Sequence, residues 1–280
     1  MAKPKLALIP AAQGTKFYSV LPSDGTGDFD FTRGSVATRI NAQGLIENVA
    51  SGQSRLNYPL IDGVQKGCPH HILEPARTNL ITYSEDFSQS SWNKNGITVN
   101  SNAVISPNGS LNADKIVESN SNTIHTVYLG GFLTQNSTIS VFAKAGERSR
   151  IAVGSSSNNH FAIFDLSLGS VIDSSDGSIS NGRIESVGNG WYRCSCLFTY
   201  QGNNRSLSYV IVNDDNAYTY QGDGTSGIYI WGAMLEQGSY PTSYIPTSGT
   251  AVTRSAETAT GAGNATTFND SEGVLMAEFS

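Results

Sequence analysis

Nowhere along the 280 residues does a long segment place apolar side chains at i, i+3, i+4 and i+7, whereas short runs with period-two alternation recur between clusters of Gly, Asn, Asp and Ser. This punctuation leaves little room for helices and asks for many short strands joined by turns. "TISVFAKA" (138–145), "RIAVGSS" (150–156), "HFAIFDLS" (160–167), "WYRCSCLFTY" (191–200), "LSYVIVND" (207–214) and "IYIWGAML" (228–235) each read as a strand, separated by turn signals such as "GERS", "VGNG" and "QGDGTSG". Strands at this spacing predict an all-β, antiparallel sandwich or barrel.

Three regions follow. Residues 1–79 contain a hairpin, "ATRINAQGLIENVA" (37–50), turning at Asn41–Gly44. Residues 80–247 carry the strand series and form the sandwich. Residues 248–280 read as a small, polar linker or arm ending in "VLMAEFS" (274–280), the first strand of a further domain. Only 14% of residues are charged and the net charge is −6, a balance that repels phosphate backbones and argues against nucleic acid as a partner. No run approaches the roughly 18 apolar residues of a membrane span, and the apolar stretch between Pro4 and Pro10 is too short for an export signal. Cys68, Cys194 and Cys196 cannot all pair within one chain, and the last two, two apart on a strand, point the same way. They read as thiols of a protein assembled in a reducing cytoplasm.

Candidates for chemistry are sparse. "CPHHILEP" (68–75) is the one dense cluster of metal-ligating types, yet His70 and His71 point to opposite sides of an extended segment, so it reads as a junction stiffened by Pro69 and Pro75. His125 and His160 sit among apolar strand residues as hydrogen-bonded sheet histidines. No G-x-S-x-G elbow is present. Glu85, Asp86 and Glu236 offer either a carboxylate pair for glycoside hydrolysis or, the preferred reading, a polar sandwich end. In "DDNAYTYQGDGTSG" (214–227), Asp214, Asp215 and Asp223 are candidate oxygen ligands for a structural calcium, set against a simple acidic hairpin end. The aromatic residues Trp92, Trp191, Tyr192, Trp231, Tyr240 and Tyr244 are either core filler or stacking platforms for sugar rings. Trp92, Trp231, Tyr240 and Tyr244, with Glu236 beside them, are the candidate glycan contacts. Alternation in "YIWGAML" puts Ile230 opposite Tyr229 and Trp231, so one set is expected to face outward or into a groove.

"EPARTNLITYSEDFSQSSWNKNGITVNSNAVISPNGSLNADKI" (74–116), "ISVFAKAGE" (139–147), "GNGWYRCSCLFTY" (188–200) and "GIYIWGAMLEQGSYPTSYIPTSGTAVTRSAE" (227–257) together resemble a module recurrent in structural proteins of tailed bacteriophages, among them tail fibres, tailspikes and head fibres. The match runs over roughly residues 36–257; one departure is Met234 where the pattern has Gln, read as a surface change. The resemblance implies a jelly-roll β-sandwich similar to carbohydrate-binding modules, preceded by a virion-anchoring arm and followed by a lectin-like domain. It further implies a homotrimer located in the virion, anchored on the tail, the portal or collar, or the capsid, and binding a host cell-surface glycan without catalysis, Glu236 being a structural or contact residue. The alternatives are a glycan-depolymerising tailspike and a capsid or tail decoration without a receptor role. Pro241 and Pro246 keep the exit segment out of any sheet interior, so it is expected to lie over the sandwich with Tyr240 and Tyr244 covering an edge.

Overall fold

The computed structural model describes residues 7–21, 23–133, 136–157, 159–173, 177–199 and 205–261, and among these there is no helix. All strand pairings are antiparallel, and the protein is an all-β sandwich. The first sheet runs, in spatial order, Asn93–Asn95, Asn122–Leu133, Arg205–Val212, Arg150–Ser155, His160–Asp165 and Ser170–Asp173, with Thr219–Gln221 also paired to Asn122–Leu133. The second runs Ile97–Ile105, Leu111–Glu118, Gly227–Gln237, Ser137–Ala145, Trp191–Phe198 and Ile179–Gly188. The chain passes repeatedly from one sheet to the other, so the facing surfaces are built from residues distant in sequence. Between them lies the main core, where Ile139, Val141, Phe164, Phe198, Tyr209 and Leu235 are inaccessible to solvent. Each such side chain contributes about 1.5–3 kcal/mol relative to leaving it in water. Cys194 and Cys196 lie here as free thiols, while Cys68 is exposed. Burial pushes the Cys196 thiol well above its ordinary range, so both core cysteines act as small apolar side chains.

The outer face of the second sheet is also covered, and the reason is one glycine. In Gly227–Gln237 the pairing with Ser137–Ala145 steps from Phe142↔Trp231 to Ser140↔Met234, a β-bulge. Gly232 occupies it with φ of +63°, and a Cβ there would stand 2.8 Å from the Phe142 ring. A left-handed backbone against an aromatic ring admits glycine alone. The bulge shifts the alternation: Ile228 and Ile230 face the main core before it, Ala233 and Leu235 after it, and Trp231 and Met234 both face outward. Those outward residues meet Tyr244 and Ile245 of the exit segment and Ile46 of the hairpin Ala37–Ile40/Ile46–Val49, forming a second core. The protein is therefore three layers deep. Of the two alternatives expected for one face of "YIWGAML", outward or into a groove, Trp231 takes the outward one but is covered, and Met234, fully buried, is no surface residue.

Of the segment read as a linker or arm, residues 248–261 are woven back into the fold. Val252–Arg254 pairs with Arg77–Asn79, and Thr258–Thr260 pairs with Phe29–Thr32, completing a sheet begun by Ala7–Gln13 and Lys16–Leu21. Beneath these strands lies a buried ionic clamp. Arg33 donates to Glu257 at 2.7 Å and Arg55 grips Glu257 with both Nε and Nη2. Arg55 and Arg254 converge on Glu74 at 2.8 and 3.0 Å, where Ser243 adds two further donors. Burial opposes ionisation of Glu74, but Arg254 and Arg55 outweigh it and hold the carboxyl below its ordinary range. Residues 33–74 and 242–257 thus form one structural layer, and a boundary at 79 does not separate independent bodies. "VLMAEFS" and Met1–Leu6 lie outside the described residues.

Candidate functional site

Four of the five candidate glycan contacts are interior. Trp92 lies in the main core between Phe87 and Tyr209, with ring centroids 4.9 and 5.9 Å away, and its indole N–H donates to the Tyr83 carbonyl. Trp231 is sandwiched by Phe142 and Tyr244 at 5.3 and 4.6 Å. Tyr244 is buried, its hydroxyl within hydrogen-bond distance of Glu85 and Ser84, and it covers the face of the sheet rather than an edge. Glu236 is fully buried and accepts from the Thr242 backbone N–H and hydroxyl at 2.9 and 2.6 Å. No sugar ring reaches these groups in this arrangement. Tyr240 alone is exposed, with the Arg77 guanidinium 5.3 Å from its ring centroid.

The carboxylates do not converge either. Glu85 is held by Tyr244 and Asn112, and burial raises its pKa against those donors. Asp86 accepts from Ser88 and Gln89 in its own turn, and Glu236 faces Thr242. Asp214 and Asp215 sit in the turn closed by Asn213 and Ala217, while Asp223 caps a different turn through Thr225 and Ser226, donors that hold its carboxyl far below the ordinary range. Among the described residues no three His, Cys, Asp or Glu side chains come together as metal ligands. His125 is placed by the Gly96 and Tyr220 carbonyls, as expected of a sheet histidine.

The structure instead opens a cleft of about 920 Å³ between the hairpin layer and the outer face of the second sheet. One wall is the segment carrying Tyr58 and His70, and the other is the sheet edge at Ile184–Val187 with Tyr192 and Arg193. Pro241–Tyr244 closes one end. One contact between the walls is very close: the hairpin tip Asp62–Gly63 docks on Ser186–Gly188 so tightly that a Cβ on Gly63, at φ +74°, would fall 2.4 Å from the Ser186 hydroxyl. Tyr58 is fixed at its backbone, its N–H donating to the Ile40 carbonyl, and its ring is half-buried. Tyr192 is likewise half-buried, packed against the main core.

Arg193 is the unusual group. Alternation along Trp191–Phe198 sends Tyr192, Cys194 and Cys196 into the main core and Trp191 and Arg193 to the cleft side. Its Nη2 donates to the Ser140 hydroxyl at 3.1 Å and faces the Met234 sulfur at 3.7 Å, and the guanidinium lies 5.5 Å from the Phe142 centroid. Nε is buried without a partner, and among the described residues no carboxylate lies within salt-bridge distance. Burial pulls its pKa down, and the more distant Glu236, Glu185 and Glu74 push it back up. Sequence reasoning passed over Arg193, although a lone arginine inside "WYRCSC", in phase with Trp191, is a legible sign of a charge under cover.

A smaller hollow of about 380 Å³ lies on the outer face of the first sheet beside Tyr128, where Ser156, Ser157, Ser206 and Ser208 hydrogen-bond one another. No protein-family model matches this chain, and no curated protein matches it.

Proposed function

We propose that this chain is a structural component of a tailed-bacteriophage particle that presents a glycan-binding β-sandwich for host attachment, without cutting what it binds. The observation that carries this reading is the cleft. It offers the half-buried Tyr58 ring and a polar wall at a scale fit for one or two sugar rings, the combination that saccharide faces and hydroxyls require. The ordered motifs over residues 36–257 supply the phage context. Single-site affinity is expected near millimolar, about 4 kcal/mol, and repetition on a particle turns such contacts into firm adhesion. Attachment to the particle through the N-terminal region and a homotrimeric state belong to the same proposal, as does a location in the assembled virion.

The test is calorimetric titration of the purified protein with host surface polysaccharide, alongside an assay for new reducing ends. Saturable binding without release, weakened at least tenfold by Tyr58→Ala, is the expected result. Release of reducing ends, or no heat at millimolar saccharide, overturns the proposal.

A further inference from the structure

We infer that the cleft selects acidic saccharides, and that Arg193 is the residue that reads the carboxylate. This rests on the glycan-binding reading and adds the chemical class of the ligand.

The argument begins with a charge that has no counter-ion. A guanidinium partly withdrawn from water carries a desolvation cost that proteins normally offset with a carboxylate. The other deeply covered arginines here obey that rule: Arg33 and Arg55 hold Glu257, and Arg254 holds Glu74. Arg193 departs from it, being steadied by a hydroxyl, a thioether and an aromatic face. These contacts orient the group without neutralising it. Its donors divide in a telling way: Nη2 is engaged, Nε is buried and unpartnered, and Nη1 makes no hydrogen bond to the described residues and is not among the buried unpartnered atoms. Nη1 is therefore the free donor that remains open, and the opening is the cleft.

An anion entering there meets a cation already fixed in place, so little side-chain entropy is lost on binding. Nearby charges shape the preference. Arg39 is committed to Glu47, and Glu185, directly across the strand pair from Arg193, is paired with Arg183. Asp62 and His70 line the same cleft, and burial lowers the His70 pKa so that it is neutral above its ordinary value. Arg193 is thus the only lining cation without an ion-pair partner at neutral pH among the described residues. Tyr58 suits a pyranose face, and Asn57 and Ser186 add polar groups along the wall. A sugar bearing a carboxylate, such as a hexuronic acid, matches this set, whereas a neutral sugar leaves the guanidinium unanswered.

The experiment compares binding of hexuronic-acid trisaccharides with the same trisaccharides after reduction of each carboxyl to a primary alcohol. The acidic forms are expected to bind at least tenfold more tightly, with the advantage shrinking as NaCl rises from 50 to 500 mM, as screening requires. Arg193→Gln, with its fold checked by near-ultraviolet circular dichroism, should bind both forms alike. Glu185→Gln, an exposed change that leaves the core untouched, should tighten the acidic form two- to fivefold relative to the reduced form. It decides the matter if Arg193→Gln does not fold. Equal binding of both forms by the wild-type protein, or no effect of Glu185→Gln on the acidic form, overturns the role of Arg193 while glycan binding stands. Failure of both forms to bind overturns the glycan reading as well.

Discussion

At the scale of single residues, Gly232 decides more than its size implies. Because it absorbs an extra residue at positive φ, Trp231 and Met234 share a face that strict alternation denies them. Gly232→Ala forces a Cβ toward Phe142 and strains the backbone, and should lower stability by about 1–3 kcal/mol in chemical denaturation. Trp191 is buried and its indole N–H donates to the Ile105 carbonyl at 3.0 Å. Trp191→Ala should cost about 3–5 kcal/mol by the same measurement, while Tyr240→Ala should cost under about 0.5 kcal/mol, since that ring is exposed. The aromatic residues were legible as a set, but their roles were not. Alternation tells which residues share a face only until a bulge resets the count, and nothing in "YIWGAML" alone says that a third layer will cover the outer face.

At the scale of elements, the six strands read from period-two alternation all form, within a residue or two of their expected ends, as does the hairpin turning at Asn41–Gly44. They were legible because each carries its own pattern. The pairing of Thr258–Thr260 with Phe29–Thr32 was not, since "AETAT" has the composition of a linker and its partner lies more than two hundred residues away. What recruits it is Glu257, whose carboxylate answers Arg33 and Arg55. Glu257→Gln leaves those two guanidiniums short of charge and should destabilise the layer by about 3–5 kcal/mol, read as faster hydrogen exchange in residues 33–74 with the main core unaffected. The same layer should be acid-sensitive in two stages. His71 is stacked on Phe17 at 3.9 Å with neither ring nitrogen hydrogen-bonded, and burial lowers its pKa from 6.5. A depressed histidine stabilises the fold above its unfolded value, so that contribution should fade as pH drops below about 6.5. Glu74, also depressed, should hold its contribution down to its unfolded value of 4.5 and lose it as pH falls further. Melting temperature followed against pH should show both steps, and His71→Leu should shrink the first, to which the likewise depressed His70 also contributes, and leave the second unchanged.

At the scale of the whole molecule, an all-β sandwich was legible because turn formers leave no helix-length apolar face, whereas the cleft was not, because its walls come from segments far apart in the sequence, around Tyr58–His70 and Ile184–Arg193, that meet only in the folded chain. The proposed reading also has an outcome at this scale: light scattering should give a homotrimer whose unfolding midpoint rises with protein concentration, since association stabilises the folded state by mass action. A monomer at all concentrations counts against that part of it. The strand pairing of Asp30 with Thr260 and of Thr32 with Thr258 has a mechanical meaning as well. The chain reaches Phe29–Thr32 from Lys16–Leu21 of the same sheet, and Phe29 and Thr260 lie at the same end of the ladder that Phe29–Thr32 forms with Thr258–Thr260. Tension applied through those two points therefore opens the ladder bond by bond, like a zip, and then meets the arginine–glutamate clamp. A load applied at those two points therefore reaches the sandwich and its cleft only after the clamp gives way.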